Sequence, residues 1–179
     1  MDARYHFVTT YRLTGKATRV WDVLRDVEGW ARWWPGLESV RLIRAPNGRE
    51  GVGAVHRYVV RAPVGYRFAY ETEVTAIEPM RYVDAVARGE LAGRGRVAME
   101  PPAGEDVTVW IAWLVETPKR WMRVLSPIAR PAFAWNHHRL MNGFGTGLAS
   151  ASGMLLVSTE HAELSPRQPG FWVMPEPAR

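Results

Sequence analysis

The chain has 179 residues, 47% of them hydrophobic, with nine Trp, no Cys and a formal charge of +5. The lack of thiols excludes disulfides, thiolate metal sites and a Cys nucleophile; no run of about 18 apolar residues is present to cross a membrane, and Met1–Leu13 has no charged-then-apolar leader pattern, so a cytoplasmic location is expected. The positive charge is carried by scattered Arg residues that alternate with apolar ones (Arg57, Arg61, Arg67, Arg94, Arg96), which suits the wet face of a sheet and argues against a nucleic-acid partner.

In chain order, Tyr5 to Leu13 alternates with Tyr5, Phe7, Thr9, Tyr11 and Leu13 on one side, the pattern of a half-buried first strand. Val20, Trp21, Leu24 and Val27 then recur at helical spacing, with Thr14 or Thr18 as the expected cap. Trp30-Ala-Arg-Trp33-Trp34 follows and Pro35-Gly36 ends it, so two short helices are expected after the first strand. Next come Val40–Arg44, Ala54–Arg61, Arg67–Ile77, Tyr82–Arg88, Gly89–Met99 and Val107–Glu116, all strand-like. Arg57 and Arg61 mark the wet face of one, which turns His56, Tyr58 and Val60 inward; Glu71 and Glu73 do the same for Phe68, Tyr70 and Thr72. In Tyr82–Arg88 the phase stays open: with Val83, Ala85 and Ala87 inward, Asp84 is solvated. Val107–Glu116 is apolar on both faces, so another element covers one of them.

Ser126 to Ser150 reads as one long helix, with Ser126 as N-cap and Pro127 in the first turn, and with Pro131 giving a kink or a delayed start. Phe133, His137, Leu140, Met141, Phe144 and Leu148 fall on one face at spacings of three and four, and that face needs a partner. Gly143, Gly145 and Gly147 weaken a helix by roughly 1 kcal/mol each relative to Ala, so close packing or a local break is expected there. From residue 154 periodicity fades into a Pro-rich end, expected to be a tail; its Phe171, Trp172 and Met174 form a cluster suited to docking on the chain's own domain or on a second subunit, which keeps a homodimer open.

Ala17–Asp26 with Trp30–Pro35, Gly51-Val-Gly53 before a strand, Gly89-Glu-Leu-Ala-Gly93-Arg-Gly95, and the Pro-rich entry into a helix bearing His138, Met141 and Gly143 together resemble the START-like superfamily of the bacterial polyketide cyclase/dehydrase and lipid-transport type, over about Tyr5 to Ala149. The resemblance implies an α+β helix-grip domain over residues 1–153. About seven antiparallel strands would curve around the long C-terminal helix, with 154–179 as the tail. It also implies an internal cavity for a lipid, an aromatic polyketide or a related hydrophobic metabolite, without a cofactor.

In such a cavity His137 is the leading acid or base, because an imidazole titrating near neutrality can take a proton from an activated carbon, the step an aldol cyclisation needs. His56 and Tyr58 are expected to add a proton donor and an orienting hydroxyl to the same cavity. Tyr70, Phe68, Trp110, Phe133, Met141, Phe144, Asn136 and Trp34 are the expected ligand contacts. Adjacent His137 and His138 point apart, and no histidine pair at i, i+4 spacing exists, so no metal site is expected. Three readings follow: a binder of a hydrophobic small molecule, a cofactor-independent cyclase or dehydratase, or a protein-interaction module.

Overall fold

The computed structural model describes residues 4–63, 65–116 and 126–164. The strands are β1 (Arg4–Thr14), β2 (Leu37–Arg44), β3 (Val55–Arg61), β4 (Arg67–Glu78), β5 (Tyr82–Gly89), β6 (Ala92–Met99), β7 (Asp106–Glu116) and β8 (Leu155–Glu163). Helix α1 spans Ala17–Arg25, a 3-10 helix spans Val27–Arg32, a shorter one Arg49–Gly51, and α2 spans Ser126–Ser152. One eight-stranded sheet runs in the order β2-β3-β4-β5-β6-β7-β1-β8, and every neighbouring pair is antiparallel. This is the α+β helix-grip architecture, with one strand more than expected.

The extra strand corrects the tail boundary. Residues 155–163 pair with β1 from Phe7↔Glu163 to Thr14↔Leu155, with a bulge between Arg12 and Leu13. As an edge strand β8 leaves Leu155 and Val157 exposed, so its alternation carries little hydrophobic signal. The expected docking cluster Phe171, Trp172 and Met174 lies outside the described residues.

Alternation along β1 sends Tyr5, Phe7, Thr9, Tyr11 and Leu13 to the inner face, and all five are buried. Helix α2 crosses that face. Its Met141, Phe144 and Leu148 join Tyr11, Leu13, Val20, Trp34 and Val109 in the main core. Two long-range hydrogen bonds fix the crossing: the Tyr11 hydroxyl donates to the Met141 carbonyl at 2.8 Å, and the Trp34 indole N–H donates to the Leu140 carbonyl at 2.8 Å. The glycines of α2 provide the close approach. A Cβ at Gly145 would stand 2.6 Å from the Tyr11 ring and one at Gly147 would run into the Trp33 carbonyl oxygen, whereas one at Gly143 would make only ordinary contact with Pro35, at 3.5 Å. Pro131 lies inside α2 and does not delay its start; the Ser126 side chain lies outside the description.

Helix α1 begins after Lys16 with no side-chain cap, because Thr14 ends β1 and Thr18 lies inside the helix. Val20, Trp21 and Leu24 are its buried positions, as their spacing requires. The outer face of β2–β5 is charged and paired: Glu73 meets Arg44 and Arg88, each at 2.7 Å, and Glu38 meets Arg61 at 2.6 Å and Arg67 at 2.9 Å.

Two expectations about the sheet change. Val83, Ala85 and Ala87 do turn inward, but Asp84 is not solvated: its carboxylate takes both nitrogens of Arg96, at 2.5 and 2.7 Å, and the two side chains are 15% and 13% exposed. Trp110 also lies on the outer face, 1% exposed, in a cluster with Ala98, Ala112, Val8 and Tyr82.

Candidate functional site

Between α2 and the inner face lie two adjoining cavities. The larger, about 480 Å³, is walled by Phe68 of β4, Leu91 after β5, Val115 of β7 and Phe133, Asn136, His137, Leu140 and Met141 of α2. Tyr66, Arg67 and Glu90 also belong to its wall; all three are exposed, so they mark its mouth. The smaller, about 300 Å³, lies toward α1 and is bounded by Leu24, Trp30, His56, Tyr58, Thr72, Val83, Ala85, Ile111 and Phe144. Trp34, Tyr70 and Trp113 line both, so these three rings form the partition. Tyr70 and Trp113 meet edge to face at 6.3 Å, and Tyr58 stacks on Tyr70 at 5.1 Å.

Polar groups in the larger cavity come from α2. His137 stacks on Phe7 with ring centroids 4.3 Å apart, which sets one imidazole edge toward the cavity. Burial, aided by His138 and His161, pushes its pKa down to about 3, so it is neutral at physiological pH and weakly basic. His138, one residue on, turns to β8 and stacks on His161 at 4.3 Å. His161 Nε2–H donates to Asn142 Oδ1 at 2.9 Å, which leaves Nδ1 to accept from the Thr9 hydroxyl at 3.1 Å. Of the adjacent pair, His137 therefore faces the cavity. Asn136, 6% exposed, has a buried side-chain oxygen without a hydrogen-bond partner.

In the smaller cavity burial lowers the pKa of His56, against a raising effect of Glu28. Burial pushes the Tyr58 hydroxyl up to about 12, with a hydrogen bond to Thr72 acting the other way. Tyr70 is raised by burial and by its neighbour Tyr58. At neutral pH these side chains are uncharged hydrogen-bonding groups. Among the described residues no group of three His, Asp or Glu is disposed to hold a metal ion.

Most of the side chains singled out by periodicity reach a cavity wall, but they do not form one constellation. Phe68, Phe133, Asn136, His137 and Met141 line the larger cavity, His56, Tyr58 and Phe144 the smaller, and Trp34 and Tyr70 both. His137 is thus parted from His56 and Tyr58 by the aromatic partition, which corrects the expectation of a shared cavity. Trp110 does not belong to either wall; Trp113, three residues on and of opposite phase, takes that place. Because β7 is apolar on both faces, alternation alone did not distinguish the two. Gly95 is the neighbouring signal: a Cβ there would stand 2.8 Å from the Trp113 ring, so the glycine clears room for that indole.

The aromatase/cyclase Zhui from Streptomyces sp. R1128 superposes with a TM-score of 0.69 at 18% identity, covering 84% of this chain and 94% of that one. A conserved protein from Geobacillus kaustophilus gives 0.68 at 17% identity over 87% and 98% of the two chains. A START superfamily protein from Mycobacterium smegmatis gives 0.65 at 14% identity over 81% and 98%. At these identities the likeness is one of fold. A comparison with curated proteins returned no match. The sequence model for polyketide cyclase / dehydrase and lipid transport matches residues 14–144, well over half of the chain. The chain therefore belongs to the polyketide cyclase / dehydrase and lipid transport family and has its START-like, helix-grip fold.

Proposed function

We propose that the protein binds a hydrophobic small molecule, of lipid or aromatic-polyketide type, in the larger cavity. The observation that carries this reading is an interior space of about 480 Å³ walled by Trp34, Phe68, Tyr70, Trp113, Phe133 and Met141, within the size range of small-molecule sites. Burying apolar ligand surface there supplies about 25 cal/mol per Å², and few polar groups are needed for orientation.

A cyclase reading draws on family membership and on His137 in the cavity wall. Against it, an imidazole with a pKa near 3 is a poor base at neutral pH, and His56 and Tyr58 lie beyond the partition. Binding without turnover is the better supported function.

Native mass spectrometry of freshly purified protein, with mass analysis of its organic extract and of protein incubated with lipid and polyketide panels, tests this. One small molecule bound per chain, with affinity retained in His137→Gln, is the expected result. Failure of every panel member to bind overturns binding as the function. Turnover that vanishes in His137→Gln while binding persists transfers the site to the cyclase reading.

A further inference from the structure

Asn136 is a feature of the larger cavity that apolar burial does not account for. Its side-chain oxygen is buried and unpaired, on a residue 6% exposed that contributes to the cavity wall. Helix packing gives no reason for an amide here, since Leu140 and Met141, one turn on along the same face, are apolar. Among the described residues, the charged side chains of this wall stand at its mouth. Arg67, at the mouth, is engaged by Glu38 at 2.9 Å, and Glu90 accepts the Ala69 backbone N–H at 2.8 Å. The neighbouring His137 stays neutral.

We propose that Asn136 is a specificity residue, and that the cavity takes an uncharged aromatic molecule bearing a phenolic or enolic hydroxyl, which donates its proton in a hydrogen bond to the Asn136 side-chain oxygen. A purely hydrocarbon ligand would leave that oxygen buried without a partner, as it already is in the free chain, and would forgo the hydrogen bond that a hydroxyl supplies. A ligand ketone has no proton to give it. A carboxylate would find the arginine of that wall, Arg67 at the mouth, already engaged by Glu38. The oxygen is closed off from solvent in this structure, so binding turns the amide about its last side-chain torsion, a broad and soft one.

This rests on the reading that the cavity binds an aromatic molecule, and one titration set separates the two. Isothermal titration of 1-naphthol, naphthalene and 1-naphthoate into the wild-type chain and into Asn136→Leu is the experiment. Naphthol is expected to bind about tenfold or more tighter than naphthalene, as for a site built to meet a hydroxyl. Naphthoate is expected to be weakest, and the naphthol advantage to disappear in Asn136→Leu. Equal wild-type affinities for naphthol and naphthalene, an advantage that survives in Asn136→Leu, or naphthoate binding as tightly as naphthol would each overturn the role of Asn136 while leaving the cavity a binding site. If none of the three binds, the aromatic part of the binding reading fails, and this inference with it, while lipid binding is decided by the panel. Thermal melts verify the fold of the variant; should it not fold, the wild-type affinity ratio decides.

Discussion

Replacing His137 by Gln is expected to make the fold less sensitive to acid. In the folded chain His137 has a pKa near 3, against an ordinary value of 6.5. Above about pH 7.5 it is neutral in both folded and unfolded states and contributes nothing to the pH dependence. Below 6.5 the unfolded chain takes up a proton that the folded chain refuses, so stability falls by roughly 1.4 kcal/mol per pH unit until the folded pKa is reached. Between pH 8 and pH 5 this amounts to about 2 kcal/mol. His6, His56 and His161 are lowered as well, so the wild-type chain loses more than this in total, and the difference between the two proteins isolates His137. The lost stacking on Phe7 costs the variant the same at both pH values and drops out of the comparison. Urea unfolding of both proteins at pH 8 and pH 5 gives the four free energies. A variant that retains about 2 kcal/mol more of its pH 8 stability at pH 5 agrees with a buried neutral imidazole. Identical losses in both proteins would refute it and would mean that His137 titrates as if solvated.

Gly145→Ala is expected to lower stability by about 1–3 kcal/mol in thermal melts, since overpacking against the Tyr11 ring at 2.6 Å outweighs the roughly 1 kcal/mol of helix propensity gained; a stabilised variant would mean that α2 sits farther from β1. Phe144→Ala removes a fully buried ring held among Trp30, Trp33, Trp34 and Tyr11, and about 3–5 kcal/mol of unfolding free energy should go with it. Trp113→Ala should weaken ligand binding at least about tenfold, as loss of a buried aromatic contact does, whereas Trp110→Phe should leave affinity unchanged; equal effects on affinity would place both indoles at the ligand.

The separation of His137 from His56 and Tyr58 bears on how one domain can serve different roles. The cavity space and its aromatic walls follow from a curved sheet gripping one helix, whereas joint acid-base chemistry also needs the titrating groups on one side of the partition formed by Trp34, Tyr70 and Trp113. Here His137 and Asn136 line one cavity and His56 and Tyr58 the other, and this division is what the proposal of binding over conversion rests on.

The sequence by itself determined which way most side chains point. Period-two alternation turned His56, Tyr58, Phe68 and Tyr70 inward, and spacings of three and four put His137, Met141 and Phe144 on one face of α2, because side-chain direction within an element is set by local backbone geometry. Glycines in a helix also pointed to close packing or a local break, and the structure gives close packing at Gly145 and Gly147. Tertiary structure alone decided which inward residues share a space, since that depends on the pairing of strands distant in sequence and on where α2 crosses them. It chose Trp113 over Trp110 because β7 is buried on both faces and period two cannot tell the faces apart. It also paired Asp84 with Arg96 across β5 and β6 instead of leaving the carboxylate in water, and it recruited Leu155–Glu163 as an edge strand whose wet outer side gives almost no periodic signal.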